Sequence, residues 1–265
     1  MPPNMSKPDY DLVILGCGLA GGLLARQLRL QRPDLRVACL ERATSTSYKV
    51  GEATVELFSN YLVRKLGLTS YLYEHHLPKN GLRFFFDTAG LDAPIERMSE
   101  IGSLGLPFHP SFQLDRSTFE RELRTGGARL GADVIEGARV TAVELGEPSH
   151  TVHFEEGGRR RTVKATWVVD ATGRTSLLAK QLDLRVPQRQ HKCLAAWARL
   201  GAVADLDGPA IDQAWRDRVH NTSRRLSTVH FMHRGAWVWM IPLKGSITSV
   251  GVVGDVRRVG REVLS

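Results

Sequence analysis

Three glycines near the N-terminus, Gly16, Gly18 and Gly21, have the spacing G-x-G-x-x-G, which suits the binding of a diphosphate. The first permits a tight turn, the second lets a diphosphate approach the backbone, and the third lets a helix pack on a strand. The backbone N–H groups of Leu19 and Ala20, in the first turn of the helix, would then face the diphosphate. The spacing predicts a dinucleotide-binding turn.

The elements around these glycines agree with that prediction. Residues 12–15 form an apolar run that predicts a buried strand, residues 23–30 have helical periodicity, and residues 36–41 predict a second strand. Glu41 ends that strand about where an acid would bind a ribose, which favours FAD or NAD over NADP. The alternative is an ordinary turn with a surface glutamate.

Composition limits the other classes of protein. The chain has 265 residues, 42% of them hydrophobic, with three cysteines and a formal charge of +8. We expect a cytoplasmic protein without membrane or nucleic-acid partners, because no apolar run could span a membrane and the basic run at 159–161 has no interleaved aromatics. No metal site is predicted: His75 and His76 diverge on a helix, and His230 and His233 lie on opposite strand faces.

The order of the predicted elements indicates an α/β fold with two parts. Strands at 12–15, 37–41 and 167–170 predict a parallel, Rossmann-like sheet, and later strands without helices between them predict an antiparallel lobe containing Phe84 and Trp237. Ser117 and Glu120 predict a capping box, residues 78–81 a turn, and residues 162–165 a separate strand of a meander. The expected domains are a disordered leader at 1–9, a cofactor-binding domain at 10–80 and 111–185, and a second lobe at 81–110 and 186–265.

The motif set resembles the glutathione-reductase type of FAD-binding fold, in the branch that holds aromatic-ring hydroxylases and flavin-dependent halogenases. The resemblance rests on the glycine turn, on Glu41, on Asp170-x-x-Gly173 and on Arg116 after Asp115. It implies bound FAD, with Arg42 and Arg116 on the diphosphate and flavin side and the Val140 backbone near the adenine.

Three further features resemble the halogenases. Residues 49–54, with Lys49 and Gly51, are similar to the G-E-[AS]-T loop that packs along the flavin, although Gly51 could equally be a turn before a helix with Thr54 as its N-cap. Trp237 and Trp239 belong to a W-x-W-x-I-P segment, which implies an indole wall that keeps substrate from the flavin. Two core tryptophans are the alternative.

Lys79 precedes a segment that resembles the one after the halogenase lysine that handles the oxidised halogen. A lysine in that role must be held rigidly and partly removed from water. The alternative is a surface lysine whose stem lies along apolar surface beside an Asn-Gly turn.

The resemblance implies halogenation of an electron-rich aromatic ring, free or tethered to a carrier. FADH2 would come from a separate, transient flavin reductase, and O2 and a halide ion would be co-substrates. Because the family continues past the tryptophan motif with a last flavin motif and a halide site, we expect a C-terminally truncated homologue that binds FAD weakly. A related FAD-dependent hydroxylase or reductase, or a catalytically silent FAD-binding remnant, is the alternative.

Overall fold

The computed structural model describes residues 7–87, 94–203, 205–208 and 211–259, with side chains up to Arg257. Residues 1–6 of the predicted leader lie outside this range. The backbone carbonyls of Pro8 and Asp9 accept hydrogen bonds from Arg36, at 2.8 and 2.9 Å. Two compact units are present: the residues up to Lys49 with Arg116–Val186, and Val50–Asp115 with the residues from Pro187 onward.

Strands dominate both units, and the helices are few and mostly short. The strands are β1 Tyr10–Leu15, β2 Val37–Glu41, β3 Leu77–Lys79, β4 Leu82–Phe86, β5 Ser99–Gly102, β6 Ser111–Gln113, β7 Asp133–Glu136, β8 Arg139–Glu144, β9 His150–Glu156, β10 Arg159–Asp170, β11 Cys193–Gly201, β12 Thr228–His233, β13 Ala236–Leu243 and β14 Ile247–Asp255. The α-helices are α1 Leu19–Gln31, α2 Glu56–Arg64, α3 Thr69–His75, α4 Arg116–Arg129, α5 Leu177–Gln181, α6 Gln213–Arg216 and α7 Val256–Val259.

The first unit is built on a six-stranded sheet in the order β7-β2-β1-β10-β9-β8. Its first four strands are parallel, and Leu15 lies opposite Leu40 on one side and Asp170 on the other. Burial of Val13 and Leu15 on one face and Ile14 on the other explains why this segment is apolar throughout. The predicted Rossmann-like parallel sheet is confirmed.

A single long strand, β10, replaces two predicted ones. The segments predicted at 162–165 and 167–170 are continuous, because Thr166 between them is β-branched and fits a strand. The first half of β10 pairs antiparallel with β9, and the second half pairs parallel with β1. The predicted separation into a meander strand and a nucleotide strand was therefore wrong.

The second unit contains another six-stranded sheet, in the order β11-β14-β13-β12-β4-β5. All its pairs are antiparallel except β12 with β4, so the predicted antiparallel lobe with Phe84 and Trp237 is confirmed with one parallel pair added. A separate two-stranded ribbon joins β3 to β6. Lys79, predicted in a turn, instead ends β3 opposite Ser111. The backbone N–H of Asn80 donates to Leu226, so the chain stays anchored beyond Lys79.

Two predicted helix starts differ from the structure. Helix α4 begins at Arg116, so Ser117 lies inside its first turn and the predicted capping box was wrong. Glu120 bonds instead to the side chains of Arg116 and Lys49. Helix α2 has Val55 as its N-cap, and the Thr54 hydroxyl donates to the Phe112 carbonyl at 2.7 Å. Thr54 before α2 and Glu120 in α4 thus bond to partners other than those that the capping predictions assigned to them.

A buried ion cluster lies in the second unit. Arg224 has no exposed surface, and its guanidinium donates to both oxygens of Glu100 at 2.8 and 2.9 Å and to Asp207 at 2.8 Å. It also lies 4.2 Å from the centre of the Trp215 ring. Arg83 is a second cation on Glu100, at 2.6 Å. The charges are paired, so their burial is tolerated.

Candidate functional site

The glycine turn of the first unit admits no side chain at two of its three positions. Gly16 has a φ of 95°, and a Cβ on it would lie 2.6 Å from the carbonyl oxygen of Ala171. A Cβ on Gly21 would lie 2.0 Å from the carbonyl oxygen of Gly16. A Cβ on Gly18 would meet nothing closer than Glu120 Oε2, at 3.9 Å. Gly18 therefore borders open space, which is where a diphosphate would approach the backbone.

The start of α1 fits an anion in that space. The helix begins at Leu19 and includes Ala20, and its N-cap residue, Gly18, provides no side-chain cap. The N–H groups of a helix's first turn have no partner within the helix, and the helix dipole makes this end positive. Leu19 and Ala20 thus lie in the first turn of α1, where their backbone N–H groups could donate to a diphosphate.

Replacing Gly18 by Ala is expected to weaken FAD binding by about tenfold or more while leaving thermal stability nearly unchanged. The added methyl group fits the folded protein but occupies the space that a diphosphate needs. Isothermal titration with FAD measures the affinity, and a melting curve measures the thermal stability. Gly105→Ala is a matched control, because a Cβ there meets nothing within 4 Å. Unchanged FAD affinity in Gly18→Ala would show that the diphosphate lies elsewhere.

Glu41 connects the end of β2 to the glycine turn. Its Oε2 accepts from the backbone N–H of Cys17 at 2.8 Å, and its Oε1 accepts from that of Ala43 at 3.0 Å. Arg124, which is 4% exposed, lies 3.6 Å from Glu41 and donates to the carbonyls of Cys17 and Ala43 at 3.3 and 3.1 Å. Each carboxylate oxygen retains a lone pair, so Glu41 can still accept a ribose hydroxyl.

Two predicted cations meet on one buried carboxylate. Arg116 donates to Glu120 Oε1 at 2.5 Å, and Lys49 donates to its Oε2. The side chain of Glu120 is 1% exposed, whereas that of Lys49 is 42% exposed. Arg42 follows β2 with an exposed side chain. Val140 lies on β8, two residues beyond Ala138, whose N–H donates to the Glu41 carbonyl at 2.9 Å.

The Asp170 motif is occupied by local hydrogen bonds. Asp170 Oδ1 accepts from the N–H and hydroxyl of Thr172 at 3.0 and 2.5 Å, and Oδ2 accepts from the N–H of Leu178 at 2.8 Å. Burial acts to raise the pKa of Asp170, but these hydrogen bonds hold it below its usual value. Gly173 has a φ of 62°, a conformation that favours glycine. The carboxylate therefore organises the turn after β10.

A pocket of about 360 Å³ lies within the second unit. Its wall combines a loop with the aromatic face of the sheet, namely Val50, Gly51, Glu52, Ala53, Leu82, Phe84, Thr228, His230, Trp237, Trp239 and Ile241. In the loop, Gly51 has a φ of 89°, a conformation that favours glycine. On the sheet, burial lowers the pKa of His230. The pocket is of a size that takes small aromatic molecules.

Both tryptophans of the W-x-W-x-I-P segment line one pocket, and a glycine on the neighbouring strand makes room for one of them. Trp237 and Trp239 line the same pocket, as alternate residues of β13 should. Gly251 lies opposite Trp239 on β14, and a Cβ on Gly251 would lie 2.2 Å from the indole ring. The Trp239 indole nitrogen also donates to the Ser249 hydroxyl at 3.5 Å. The orientation of Trp239 thus depends on the neighbouring strand.

Glu52 is held by an arginine that the sequence did not single out. Arg199 on β11 donates to Glu52 Oε1 at 2.8 and 3.2 Å and to Asp115 at 2.7 Å. Burial disfavours the charge of Arg199, but its bonds to the two carboxylates hold its pKa above the usual value. The arginine ties the 50–53 loop to β11.

Lys79 is 3% exposed, so it is not a surface lysine. Its Nζ donates to the carbonyl oxygen of Thr54 at 2.5 Å. Among the described residues, no carboxylate lies within salt-bridge distance of Lys79. Burial lowers the pKa of Lys79, while the more distant charge of Glu56 acts in the opposite direction. The structure thus places this amine in a dry environment on the end of a paired strand.

Acidification is expected to destabilise the fold through His76, which is 1% exposed and whose Nδ1 accepts from the Asp115 N–H at 3.2 Å. Burial lowers the pKa of His76 from 6.5 to about 4, although Asp115 opposes this. The unfolded chain therefore binds a proton first as pH falls, and about 3 kcal/mol is lost between these two pKa values.

Urea unfolding of wild type and His76→Gln across that range tests this expectation. The glutamine variant should show a shallower loss of stability than wild type on acidification. His75→Gln, at an exposed neighbour, should behave as wild type does. Parallel pH profiles for wild type and His76→Gln would contradict the assignment.

No group of three or more His, Cys, Asp or Glu side chains is placed to hold a metal ion in the described part of the chain. Within the same residues, no helix has the length and apolarity that crossing a membrane requires.

A family model that describes an FAD-binding domain matches residues 9–250. The match covers most of the chain and includes both units. The glycine turn, the uncapped start of α1 and the two cations at Glu120 fit the nucleotide that such a domain binds. The chain belongs to this FAD-binding domain family.

The curated proteins that resemble the chain include flavin-dependent halogenases. It is 29% identical to the flavin-dependent halogenase chlA of Dictyostelium discoideum, over 89% of this chain and 43% of that protein. It is also 29% identical to the 1H-pyrrole-2-carbonyl-(peptidyl-carrier protein) chlorinase of Pseudomonas fluorescens, over 94% of this chain and 56% of that protein. The chain thus spans about half the length of these relatives.

The fold is shared with a solved halogenase structure. Halogenase PltM in complex with phloroglucinol and FAD superposes with a TM-score of 0.76 at 20% identity, covering 94% of this chain and 52% of that one. The suspected resemblance to flavin-dependent halogenases, and the expected FAD cofactor, are confirmed.

The sequence analysis did not identify three residues that position parts of the site. Arg124 lies in mid-helix, Arg199 in a strand and Gly251 in a Val-rich strand, and none belongs to a local motif. Each acts on a partner more than ten residues away, so only the pairing of elements reveals its role. If the register between β13 and β14 had been assumed, the pairing of Gly251 with Trp239 would have indicated that the glycine makes room for the indole.

Proposed function

We propose that the protein halogenates an electron-rich aromatic substrate, free or carrier-tethered, with Lys79 as the residue that handles the oxidised halogen. The observation that carries the proposal is the state of Lys79: it is 3% exposed, anchored to the Thr54 carbonyl and without a carboxylate within salt-bridge distance among the described residues. An amine that is kept dry and has no carboxylate beside it is suited to nucleophilic chemistry.

FAD, when bound and reduced, supplies together with O2 the oxidising power that turns halide into hypohalous acid. The residues that support its binding are Gly16, Gly18, Gly21, Leu19 and Ala20 at the diphosphate and Glu41 at the ribose. Arg42, Lys49, Gly51, Arg116, Val140, Asp170 and Gly173 complete the proposed set. A separate flavin reductase would deliver FADH2 transiently, and chloride or bromide would be the halide.

Lys79 can act on hypohalous acid in two ways. As a neutral amine, its Nζ attacks the halogen, so that an N–halogen bond forms, the oxygen–halogen bond breaks and water leaves. The haloamine then passes the halogen to an aromatic carbon, and the ring loses its proton. As an ammonium, Lys79 instead donates a hydrogen bond that makes the halogen more electrophilic. Burial, which lowers its pKa, increases the neutral fraction.

Trp237 and Trp239 have a complementary role in this proposal. Their indoles form one wall of the pocket in the second unit and would screen the substrate from the flavin. Direct hydroxylation of the substrate would thereby be suppressed. The two indoles lie on the same face of β13, next to the pocket, which supports this role.

Dependence on halide tests the proposed function. The protein is incubated with FAD, a flavin reductase, NADH and an aromatic probe, either phenol or pyrrole, and products are identified by mass spectrometry with and without bromide. We expect a brominated product in the presence of bromide and no oxygenated product in its absence. A hydroxylated product that forms equally without halide would identify a hydroxylase and reject the proposal.

A further inference from the structure

One oxygen of Glu52 is bound and the other is not. The residue is 1% exposed, and its Oε1 accepts two hydrogen bonds from Arg199, at 2.8 and 3.2 Å. Its Oε2 is buried and has no hydrogen-bond partner among the described residues. Buried carboxylate oxygens are nearly always hydrogen-bonded, so an unused acceptor of this kind points to a donor supplied from outside the chain.

Glu52 lies in the wall of the aromatic pocket. In the same pocket, Phe84 and His230 stack with ring centres 4.9 Å apart and planes inclined by 18°. Trp237 and Trp239 add two indoles to the same pocket. Flat, polarisable walls favour a planar ring, and a volume of about 360 Å³ accommodates one.

We propose that Glu52 Oε2 is the acceptor that selects, in this pocket, a planar aromatic ligand carrying an N–H or O–H group. Two ligands of the proposed reaction have this chemistry: the isoalloxazine ring through its N3–H, and a phenol or pyrrole substrate through its O–H or N–H. The inference therefore rests on the proposed function and deepens it. Glu52 acts here as a specificity residue for the ligand's donor group.

The arginine fixes which oxygen is available. A guanidinium has only donors, so it always requires an acceptor from residue 52. In Glu52→Gln the amide oxygen must face Arg199, and the amide NH2 group then takes the position of Oε2. The substitution therefore replaces an acceptor by a donor with almost no change in size. It should invert the preference of the pocket instead of merely weakening binding.

Paired ligands that differ only in the donor measure this preference. Riboflavin and 3-methylriboflavin are titrated into wild type, with tryptophan fluorescence and calorimetry as readouts. We expect wild type to bind riboflavin about tenfold more tightly, because one charge-assisted hydrogen bond is lost on methylation. In Glu52→Gln the preference should vanish or reverse. The comparison within wild type needs no variant and is independent of folding defects.

Asp115→Asn is the matched control, since it disturbs the other carboxylate on Arg199 without altering the pocket wall. It should retain the wild-type preference. Circular dichroism confirms that both variants fold. If Asp115→Asn loses the preference as Glu52→Gln does, the ion network and not the free oxygen is responsible, and the inference is wrong.

Phenol and anisole form the second pair and distinguish the two ligand sources. A donor preference for phenol alone identifies the aromatic substrate as the occupant, and one for riboflavin alone identifies the flavin ring. Equal binding within both pairs, or a preference that survives in Glu52→Gln, overturns the inference. Because these titrations contain neither halide nor reductant, a negative result here leaves the halide-dependence test intact, and the reverse also holds.

Discussion

Replacing Lys79 by Ala is expected to abolish halogenated product while FADH2 oxidation by O2 continues at a near-normal rate. In the proposed function, halogen transfer depends on the buried amine, whereas oxidation of reduced flavin does not. We expect product to fall by about a hundredfold or more. Flavin absorbance follows the oxidation of FADH2, and mass spectrometry measures the halogenated product. Lys65→Ala, at an exposed lysine, should change neither.

Lys79→Arg is expected to fail as well. A guanidinium is bulkier, stays charged and cannot form the same haloamine. It also has to fit where a single Nζ contacts the Thr54 carbonyl in a site that is almost fully enclosed. Full product yield from the alanine variant would show that Lys79 is only a buried structural residue, and the indole wall alone would then support halogenation.

Replacing Arg224 by Ala is expected to lower the free energy of unfolding by about 3–5 kcal/mol. The substitution leaves Glu100 with one cation instead of two and removes the cation on Asp207, both in a buried cluster. It also removes the guanidinium from the Trp215 ring. Urea unfolding measures the change.

Arg225→Ala is the matched control for this effect, because the neighbouring side chain is exposed and has no salt bridge among the described residues. Its cost should stay below about 1 kcal/mol. Similar losses in the two variants would mean that helix or turn geometry near residue 224, and not the buried ion cluster, determines the stability of this region.

Local chemistry made much of the nucleotide-binding unit predictable. The glycine spacing requires a turn between a strand and a helix, and the acid at the end of β2 belongs to the same strand–helix–strand pattern. Alternate residues of a strand point to opposite faces of the sheet, so the continuous apolar run from Val13 to Leu15 predicts a strand that is covered on both faces. For these elements the information lies within a few residues of the sequence.

The remaining features depend on partners that a local pattern does not contain. Lys79 sits in a Pro-Lys-Asn-Gly segment typical of a turn, but pairing with Ser111 extends it as a strand. Glu120 has the spacing of a capping box, but two cations from other positions bind it. Long-range pairing overrode local propensity in each case.

Local motifs also identified only some of the residues that form the candidate site. The tryptophan motif identified Trp237 and Trp239 and their common face, because alternation in a strand is a local property. Gly251 and Arg199, which set the positions of Trp239 and Glu52, come from neighbouring strands. Sequence motifs thus identified the groups that would touch ligands better than the groups that hold them.

The contact between Trp239 and Gly251 has a consequence for how this pocket can change over evolutionary time. Any side chain at residue 251 collides with the indole, so a larger residue there is tolerated only after residue 239 has become smaller. The two positions are therefore epistatic, and the order of substitution matters. A lineage that exchanged the tryptophan first could later fill position 251, and the return to a tryptophan wall would then be blocked by a residue that touches no ligand.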